Sequence, residues 1–294
     1  MTFAADWWLG ARPRTLPAAI VPVIIGTAVA VSESDKLSVS NVVVRVALAL
    51  FVSLALQVGV NYANDYSDGV RGTDDDRKGP TRLVAAGRAT PTAVKTAAIL
   101  ALASACVAGL LLAALTTWWL VLLGAACVAA AWLYTGGPRP YGYAGFGELF
   151  VFVFFGLVAT AGTTYVVSES VGILAWCSGA VSGCLAVALL MVNNIRDIDG
   201  DSRSGKRTLA VRIGVVRSKR LFVALYVVTG MLIVASSTQS LGALLGLIGL
   251  LAALPAIATV RESNEPKKLV KALGMTARVQ MVVGVLYAVG LIVG

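Results

Sequence analysis

The stretch Asn61-Tyr-Ala-Asn64-Asp65-Tyr-Ser-Asp68 begins where a long apolar run, residues 41–63, comes to its end. A second acid-rich stretch, Asn193-Asn194-Ile-Arg-Asp197-Ile-Asp199-Gly-Asp201, stands in the same way at the end of residues 171–193. With Asp74-Asp75-Asp76, which follows the first, these stretches hold eight of the fifteen acidic residues of a chain whose formal net charge is +9. Scarce acids gathered in two places, at the ends of apolar runs, predict a binding site for divalent metal.

The composition indicates lipid as the solvent. Of the 294 residues, 58% are hydrophobic and only 13% are charged, and the mean hydropathy is +0.84; a soluble domain carries about 25% charged residues. Apolar runs of roughly 17–25 residues, the length that crosses a bilayer as a helix, lie at 15–31, 41–63, 92–115, 117–134, 147–167, 171–193, 221–236, 240–260 and 272–293. We therefore predict an all-α, polytopic membrane protein with nine transmembrane helices in a single domain, residues 1–294.

Two absences limit the chemistry of the chain. It has no histidine, and its four cysteines (Cys106, Cys127, Cys177 and Cys184) lie inside predicted spans without a CxxC pair. Zinc sites use clustered thiolates or imidazoles, and Ser-His or Cys-His nucleophiles need the imidazole, so both classes are excluded. Any acid–base step must use carboxylates, Lys, Tyr, Arg-assisted groups or water.

The basic residues predict the topology. Of the 24 Lys and Arg residues, all except Lys36 and Arg45 fall on one side of the predicted spans. Basic loops stay in the cytoplasm, so we expect a cytoplasmic N-terminus, an external C-terminus and an odd number of spans. Both acidic stretches then lie on the cytoplasmic face, in a multi-pass protein of the cell membrane.

A weak internal repeat is compatible with nine helices. Asn61 and Asp65 recur as Asn193 and Asp197, each pair four residues apart and the two pairs 132 positions apart. The first pair ends the second predicted span and the second pair ends the sixth. We therefore expect two pseudo-repeated four-helix units and one additional helix.

The spacing of the acids predicts what they bind. If each span continues as a helix for another turn, Asp65 and Asp68 share one face of their helix, and Asp197 and Asp201 share one face of theirs. Oxygen ligands without His or Cys suit Mg²⁺, or Mn²⁺, rather than zinc, and substrate phosphate usually completes such a site. Basic residues interleaved with the acids could hold the same anion: Arg71, Arg77, Lys78, Arg82, Arg203, Lys206 and Arg207. The alternative is a pair of solvated loops with helix caps.

Four stretches resemble a known family, the UbiA superfamily of intramembrane aromatic prenyltransferases, and within it the menaquinone branch, whose acceptor is 1,4-dihydroxy-2-naphthoate. They are Ala11-Arg-Pro-Arg-Thr-Leu-Pro-Ala18, residues 61–77 continuing to Gly79-Pro-Thr-Arg-Leu-Val84, Tyr134-Thr-Gly-Gly-Pro-Arg-Pro-Tyr141, and residues 193–212. The resemblance implies a UbiA-like arrangement of nine transmembrane helices around a central cavity.

The resemblance also implies a set of site residues. The family's first motif, NDxxDxxxD, is met by Asn64, Asp65 and Asp68, but its last position is Gly72, and Asp74 is the nearest acid. The implied catalytic residues and metal ligands are Asp65, Asp68, Asp197 and Asp201, with Asp74 as a further ligand. The implied substrate-binding residues are Asn61, Asn64, Asn193, Lys206, Tyr134, Arg139, Arg14 and Glu148.

The implied reaction transfers a polyprenyl chain from an allylic polyprenyl diphosphate to 1,4-dihydroxy-2-naphthoate, with loss of CO₂, and gives demethylmenaquinone. The expected cofactor is Mg²⁺, with Mn²⁺ as a substitute, and the expected partners are the two substrates and the lipid bilayer, without nucleic acid. Another acceptor, such as 4-hydroxybenzoate, stays open, and so does the more remote reading of a cation-coupled transporter. The sequence leaves open the length of the prenyl chain, the number of metal ions, any general base, and the oligomeric state.

Overall fold

The computed structural model describes residues 4–34, 37–74, 79 and 81–294, and these residues form helices and turns without a strand. Lys36 and four residues of the first acidic segment (Asp75, Asp76, Arg77 and Lys78) lie outside the described residues. The helices are α1 Ala4–Gly10, α2 Pro17–Ser32, α3 Val39–Val70, α4 Pro91–Leu115, α5 Trp119–Leu133, α6 Gly147–Ser168, α7 Ile173–Arg203, α8 Leu209–Ser236, α9 Leu241–Glu262 and α10 Pro266–Val293.

The all-helical prediction is confirmed for the described residues, and α2 to α10 follow the order of the predicted spans. Within this part of the chain, seven helices (α3, α4 and α6 to α10) are long and apolar enough to cross a membrane. An eighth candidate is the pair Ala4–Thr15 and Pro17–Ser32, which is bent by 52°. Helix α5, with 15 residues, is shorter than a full span.

Helices α3 and α7 run past the predicted ends of their spans. The apolar runs end at residues 63 and 193, whereas the helices continue to Val70 and Arg203. The stretches Asn61–Asp68 and Asn193–Asp201 are therefore helical, so the condition under which their acids would share a helix face is met. Helix α8 likewise begins at Leu209, ahead of the predicted start at residue 221, and bends at Gly214, whose φ of 79° is left-handed.

Helix α7 lies at the centre of the larger apolar core. Of its apolar window, 72% is buried, and it packs against α6, α8, α10 and α2. Helix α6 approaches α7 so closely that a Cβ added at Gly156 would lie only 2.5 Å from the Cα of Gly183. The absence of side chains at these two glycines allows this approach, as small residues do between membrane helices. Seven residues of α6 around this contact, Phe152–Val158, form a π-helix.

A smaller core attaches the loop between α3 and α4 to the body of the protein. Leu83 and Ala89 in this loop are buried against Tyr62 and Ala63 of α3 and Val94 of α4. The segment after the first acidic stretch is therefore folded back onto the helices, where its polar groups can reach the acids.

Candidate active site

One cavity of about 570 Å³ receives residues from both acidic stretches. The carboxylates that line it are Asp65, Asp68, Asp197 and Asp201, and the amides are Gln57, Asn61, Asn64, Asn193 and Asn194. Because the ends of α3 and α7 meet at this cavity, residues about 130 positions apart in the sequence form one polar end. The remainder of the lining is largely apolar and comes mainly from α2 to α7, with Leu9 and Gly10 of α1 and Leu273 of α10.

Asp65 organises the neighbouring loop. It is fully buried, and its Oδ2 and Oδ1 accept hydrogen bonds from the backbone N–H groups of Leu83 (2.9 Å) and Val84 (3.0 Å). These two bonds hold the segment that carries Arg82 against the cavity. Each carboxylate oxygen has a second lone pair, so the bonds leave Asp65 with acceptor capacity.

Asp68 lies in a buried ion pair. Its Oδ2 is 2.8 Å from Nζ of Lys206, and its Oδ1 accepts a hydrogen bond of 2.5 Å from the hydroxyl of Tyr143. The Lys206 ammonium also lies over the Tyr143 ring, 4.7 Å from its centroid, a favourable cation–π distance. Burial and the Asp68 carboxylate raise the pKa of Tyr143, so its hydroxyl stays protonated and donates.

Two further acids of these segments, Asp74 and Asp197, face guanidinium groups. Asp197 accepts two hydrogen bonds of 2.7 Å from Nε and Nη2 of Arg196, the paired geometry that favours Arg over Lys. Asp74 is buried with its Oδ2 3.2 Å from Nε of Arg82. Asp201 and Asp197 line the cavity, whereas Asp74 lies outside its lining.

Two of these guanidinium groups keep an unused donor. Among the described residues, Nη1 of Arg82 and Nη1 of Arg196 are buried and have no hydrogen-bond partner. Both arginines line the cavity. An unpaired buried donor on a charged group is costly, so these atoms point to an anionic ligand that would accept from them.

Of the other predicted substrate-binding residues, most line the cavity and two do not. Asn61 donates to the carbonyl oxygen of Ala11 (2.8 Å), and Asn64 accepts from the hydroxyl of Thr135 (2.7 Å), so each lines the cavity while it fixes a neighbouring segment. Asn193, Lys206, Tyr134 and Arg14 also line the cavity. Arg139 is exposed and lies outside the lining.

Glu148 lies behind the cavity wall. It is buried outside the lining, and its Oε1 accepts a hydrogen bond of 2.8 Å from Nδ2 of Asn194, which does line the cavity. Glu148 therefore orients an amide of the wall, whereas the sequence suggested direct contact with a substrate.

The carboxylate oxygens of the cavity are suitable ligands for Mg²⁺, although two of the carboxylates form ion pairs with cations of the protein. Four carboxylates line one cavity, and hard oxygen donors suit this ion. Within the residues that the structure describes, no three acidic or cysteine side chains come together as a metal cluster. Asp68 and Asp197 instead face Lys206 and Arg196. A metal could bind these acids only if the cations changed partner.

An aromatic row leads from the polar end into the apolar part of the cavity. Tyr141 stacks on Phe150 with ring centroids 3.9 Å apart, and Phe150 stacks on Phe154 at 5.9 Å. Tyr134 meets Tyr141 edge to face at 5.4 Å. All four rings line the cavity, so a ligand that enters the apolar part passes along π-electron faces.

Sequence reasoning did not single out Tyr143 or Arg196, and it named Arg82 only as one of several basic residues that could hold an anion. Tyr143 lies in a short loop that the resemblance covers only up to Tyr141, so no motif pointed to it. Arg196 was counted only among the basic residues that predict the topology. Its position directly before Asp197 in the sequence was the signal that could have identified it.

The comparisons with known proteins agree on one family. Residues 19–282 match the UbiA prenyltransferase family. The chain is 46% identical over 282 residues to the 1,4-dihydroxy-2-naphthoate octaprenyltransferase of Mycobacterium tuberculosis, with 96% of this chain and 95% of the relative covered. It is 32% identical over 299 residues to the enzyme of the same name from Haemophilus influenzae, with 98% and 96% covered.

Solved structures share the fold at low sequence identity. A UbiA homologue from Aeropyrum pernix in its apo form superposes with a TM-score of 0.72 at 15% identity, over 92% of this chain and 97% of that chain. A UbiA homologue from Archaeoglobus fulgidus bound to DMAPP and Mg²⁺ superposes with a TM-score of 0.61 at 14% identity, over 97% and 99%.

Proposed function

The chain belongs to the UbiA prenyltransferase family, and on that premise we propose that it transfers a polyprenyl chain from an allylic polyprenyl diphosphate to 1,4-dihydroxy-2-naphthoate. The acceptor loses its carboxylate as CO₂, and the direct product is the reduced, hydroquinone form of demethylmenaquinone, in menaquinone biosynthesis. Relatives that carry the name of this activity are similar over nearly the whole chain, which supports the choice of acceptor over 4-hydroxybenzoate.

The shape and charge of the cavity carry the proposal. Its polar end offers the ammonium of Lys206 and two buried guanidinium groups, each with an unused Nη1, from Arg82 and Arg196. Its remaining lining is largely apolar. A polyprenyl diphosphate has the same division, an anionic head and a hydrocarbon tail, so the two halves of the cavity fit the two halves of the donor.

Mg²⁺, or Mn²⁺, fits the carboxylates of the polar end. Asp65, Asp68, Asp197 and Asp201 would hold it, with Asp74 as a further ligand in place of the acid that the family motif has at Gly72. When bound, the ion supplies Lewis-acid neutralisation of the departing diphosphate. The Archaeoglobus fulgidus homologue was solved with DMAPP and Mg²⁺, which supports a divalent metal here.

The chain's own cations stabilise the leaving group. We expect Lys206 to leave Asp68 for a diphosphate oxygen, because the ammonium lies over the Tyr143 ring and can pivot there without losing that contact. The Nη1 atoms of Arg82 and Arg196 are buried without partners, so they have no hydrogen bond to break, but the groups that cover them must move before they can donate to the diphosphate. Fixed donors that meet charge as it develops lower the barrier to ionisation.

The aromatic row can stabilise the positive charge that forms on the allylic carbon of the donor. Once the C–O bond breaks, the allylic fragment is a cation, and ring faces within about 6 Å stabilise cations. Tyr141 and Phe150 present such faces next to the polar end. The electron-rich naphthoate ring then attacks this cation, and closure of the cavity against water protects it from hydrolysis.

The membrane arrangement is part of the proposal. All nine predicted spans, including the short α5 and the bent α1–α2 pair, would form a UbiA-like bundle, with the cavity mainly between α2 and α7. The distribution of Lys and Arg supports a cytoplasmic N-terminus and a cytoplasmic polar end, in the cell membrane. Diphosphate and naphthoate would then enter from the cytoplasm, while the tail stays in the apolar part.

A reconstituted assay tests the proposal. The purified protein in lipid nanodiscs receives one polyprenyl diphosphate and either carboxyl-labelled 1,4-dihydroxy-2-naphthoate or 4-hydroxybenzoate, with Mg²⁺ or with EDTA. We expect prenylated product and labelled CO₂ from the naphthoate only, and neither in EDTA. Turnover of 4-hydroxybenzoate alone would overturn the acceptor, and solute movement across liposomes without consumption of diphosphate would favour a transporter.

A charge-removing pair tests the role of the polar end. Lys206→Met removes the buried ammonium and is expected to reduce transfer by at least a hundredfold, since the partner Asp68 is left unpaired as well. Lys267→Met, on the exposed surface of α10, is the matched control and should retain wild-type transfer. Equal activity of both variants would refute the role of Lys206.

A further inference from the structure

Four exposed residues form one stripe along the outer side of α10. They recur at intervals of seven residues, almost two turns of an α-helix, and are Lys271, Arg278, Val285 and Ile292. Helix α10 packs on α2 through Gly284, on α9 through Val283 and on α7 through Tyr287. The stripe lies away from these three contacts, so it faces the lipid.

The stripe is basic at one end and apolar at the other. Its two cations are nearer the N-terminus of α10, and its two apolar residues are nearer the C-terminus. The N-terminal end lies on the same side of the protein as the acids, because Pro266 and Asp201 line one polar pocket. A phospholipid beside α10 has the same order, since its phosphate lies at the membrane surface and its acyl chains lie below.

Arg278 lies deeper than a cation that is solvated by water alone. It stands six residues inside the apolar run 272–293, which is about 9 Å along the helix. A charge at this depth is costly unless it reaches the interface or meets an anion. The Cα–Cβ bonds of a helix tilt towards its N-terminus, so the long side chain of Arg278 can extend back towards Lys271. The two Cα atoms are seven residues apart, about 10 Å, and both side chains can approach one phosphate group.

The protein supplies no anion for these two cations. The only acidic residue in α2, α9 and α10 is Glu262, the last residue of α9, which lies beyond the apolar run 240–260. Within the part of the chain that the structure describes, no ion pair joins Lys271 or Arg278 to an acid, whereas Lys268 pairs with Glu265. Two unpaired cations favour a lipid whose headgroup is negative over a zwitterionic lipid, whose ammonium group they repel.

We propose that Lys271 and Arg278 bind the phosphate of an anionic phospholipid, whose acyl chains lie along the apolar part of the stripe. The lipid neutralises two cations next to the hydrocarbon of the bilayer, and it fixes the depth of α10 in the membrane. The inference depends on the position of α10 in a bilayer and not on the proposed reaction.

Native mass spectrometry of the purified protein in detergent tests the proposal. Phosphatidylglycerol and phosphatidylcholine with the same acyl chains are titrated in parallel, and the dissociation constant of the first bound lipid is measured for each. We expect the wild type to bind phosphatidylglycerol more tightly. In Lys271→Gln and in Arg278→Gln, its dissociation constant should rise about fivefold, the effect of one cation at an anionic membrane surface. It should rise further in the double variant, while that for phosphatidylcholine stays unchanged.

Arg203→Gln is the matched control. Arg203 is exposed at the end of α7, on the same side of the protein, but it lines the polar pocket and not the stripe. This variant should bind phosphatidylglycerol as the wild type does. Arg278→Lys keeps a charge at the same depth, so it should bind this lipid more tightly than Arg278→Gln.

Three outcomes would overturn the proposal. The first is a wild type with equal dissociation constants for the two lipids. The second is a preference for phosphatidylglycerol that the double variant retains, because the lipid would then bind elsewhere. The third is displacement of phosphatidylglycerol by millimolar inorganic phosphate, since the site would then take phosphate without acyl chains. Prenyl transfer is not measured, so failure of the proposed function leaves this test unaffected.

Discussion

Asp65 provides the sharpest test of how the polar end is built. Its two oxygens accept the buried backbone N–H groups of Leu83 and Val84, at 2.9 and 3.0 Å. Asp65→Ala removes both acceptors, and each buried donor left without a partner costs about 1–3 kcal/mol. The loop can escape part of this cost if it opens to water, so the lower limit of the sum, about 2 kcal/mol, is the expected loss in the free energy that holds the loop closed.

Amide hydrogen exchange measures this loss. Since 1.4 kcal/mol corresponds to a factor of ten, exchange at Leu83 and Val84 should accelerate by roughly thirtyfold in nanodiscs. Arg82 lies next to these amides and would leave the cavity with the loop. Transfer should therefore be lost in Asp65→Ala even at saturating Mg²⁺.

Asp68→Ala is the matched control. Asp68 is in the same motif, but its oxygens bind Tyr143 and Lys206 instead of the loop. This variant should also lose transfer while Leu83 and Val84 exchange as in the wild type. If Asp65→Ala lost activity with no change in exchange at these two amides, the structural role of Asp65 would be refuted, and a role confined to metal or substrate would remain.

Two further substitutions probe the polar end. Tyr143→Phe removes the hydrogen bond to Asp68 but keeps the aromatic ring. We expect KM for the diphosphate to rise about tenfold, because a hydrogen bond to a charged group contributes about 1.5–3 kcal/mol. An unchanged KM would contradict the view that this hydroxyl positions Asp68. Arg196→Lys keeps the charge but loses the paired hydrogen bonds to Asp197 and the unpartnered Nη1. We therefore expect KM for the diphosphate to rise tenfold or more. The control is Arg217→Lys, at an exposed position of α8. Equal KM values in the two arginine variants would exclude a role for the guanidinium fork.

The fold could be predicted from the sequence because lipid imposes long apolar runs. The runs at 41–63 and 171–193 are helices, and each helix continues through the acids behind it, which is the condition on which the argument from their spacing depended. Helix α5 is the element that periodicity describes least well. The apolar run 117–134 predicts a full span, but Thr117 and Trp118 lie outside the helix at one end and Tyr134 at the other, which leaves 15 residues.

The site could be predicted only in part, because charge pairing depends on tertiary structure. The sequence identified the acids that meet in one cavity, since their spacing and side of the membrane are local properties. It could not show that Asp65 holds a loop or that Glu148 binds Asn194, because these contacts join segments far apart in the chain. It also could not separate Arg139, which is exposed, from Arg82, which lines the cavity.

The internal pairing explains why acids and bases are packed together at the polar end. A buried carboxylate without a partner costs several kcal/mol, so a site made of acids alone would be unstable whenever it was empty. Here backbone amides bind Asp65, and cations bind Asp68 and Asp197. On the proposed function, a metal ion would give the acids a new partner and a diphosphate would give the cations one, so the pairs could separate without leaving a buried charge alone. One set of residues would then stay folded without substrate and hold a metal–diphosphate head when it binds.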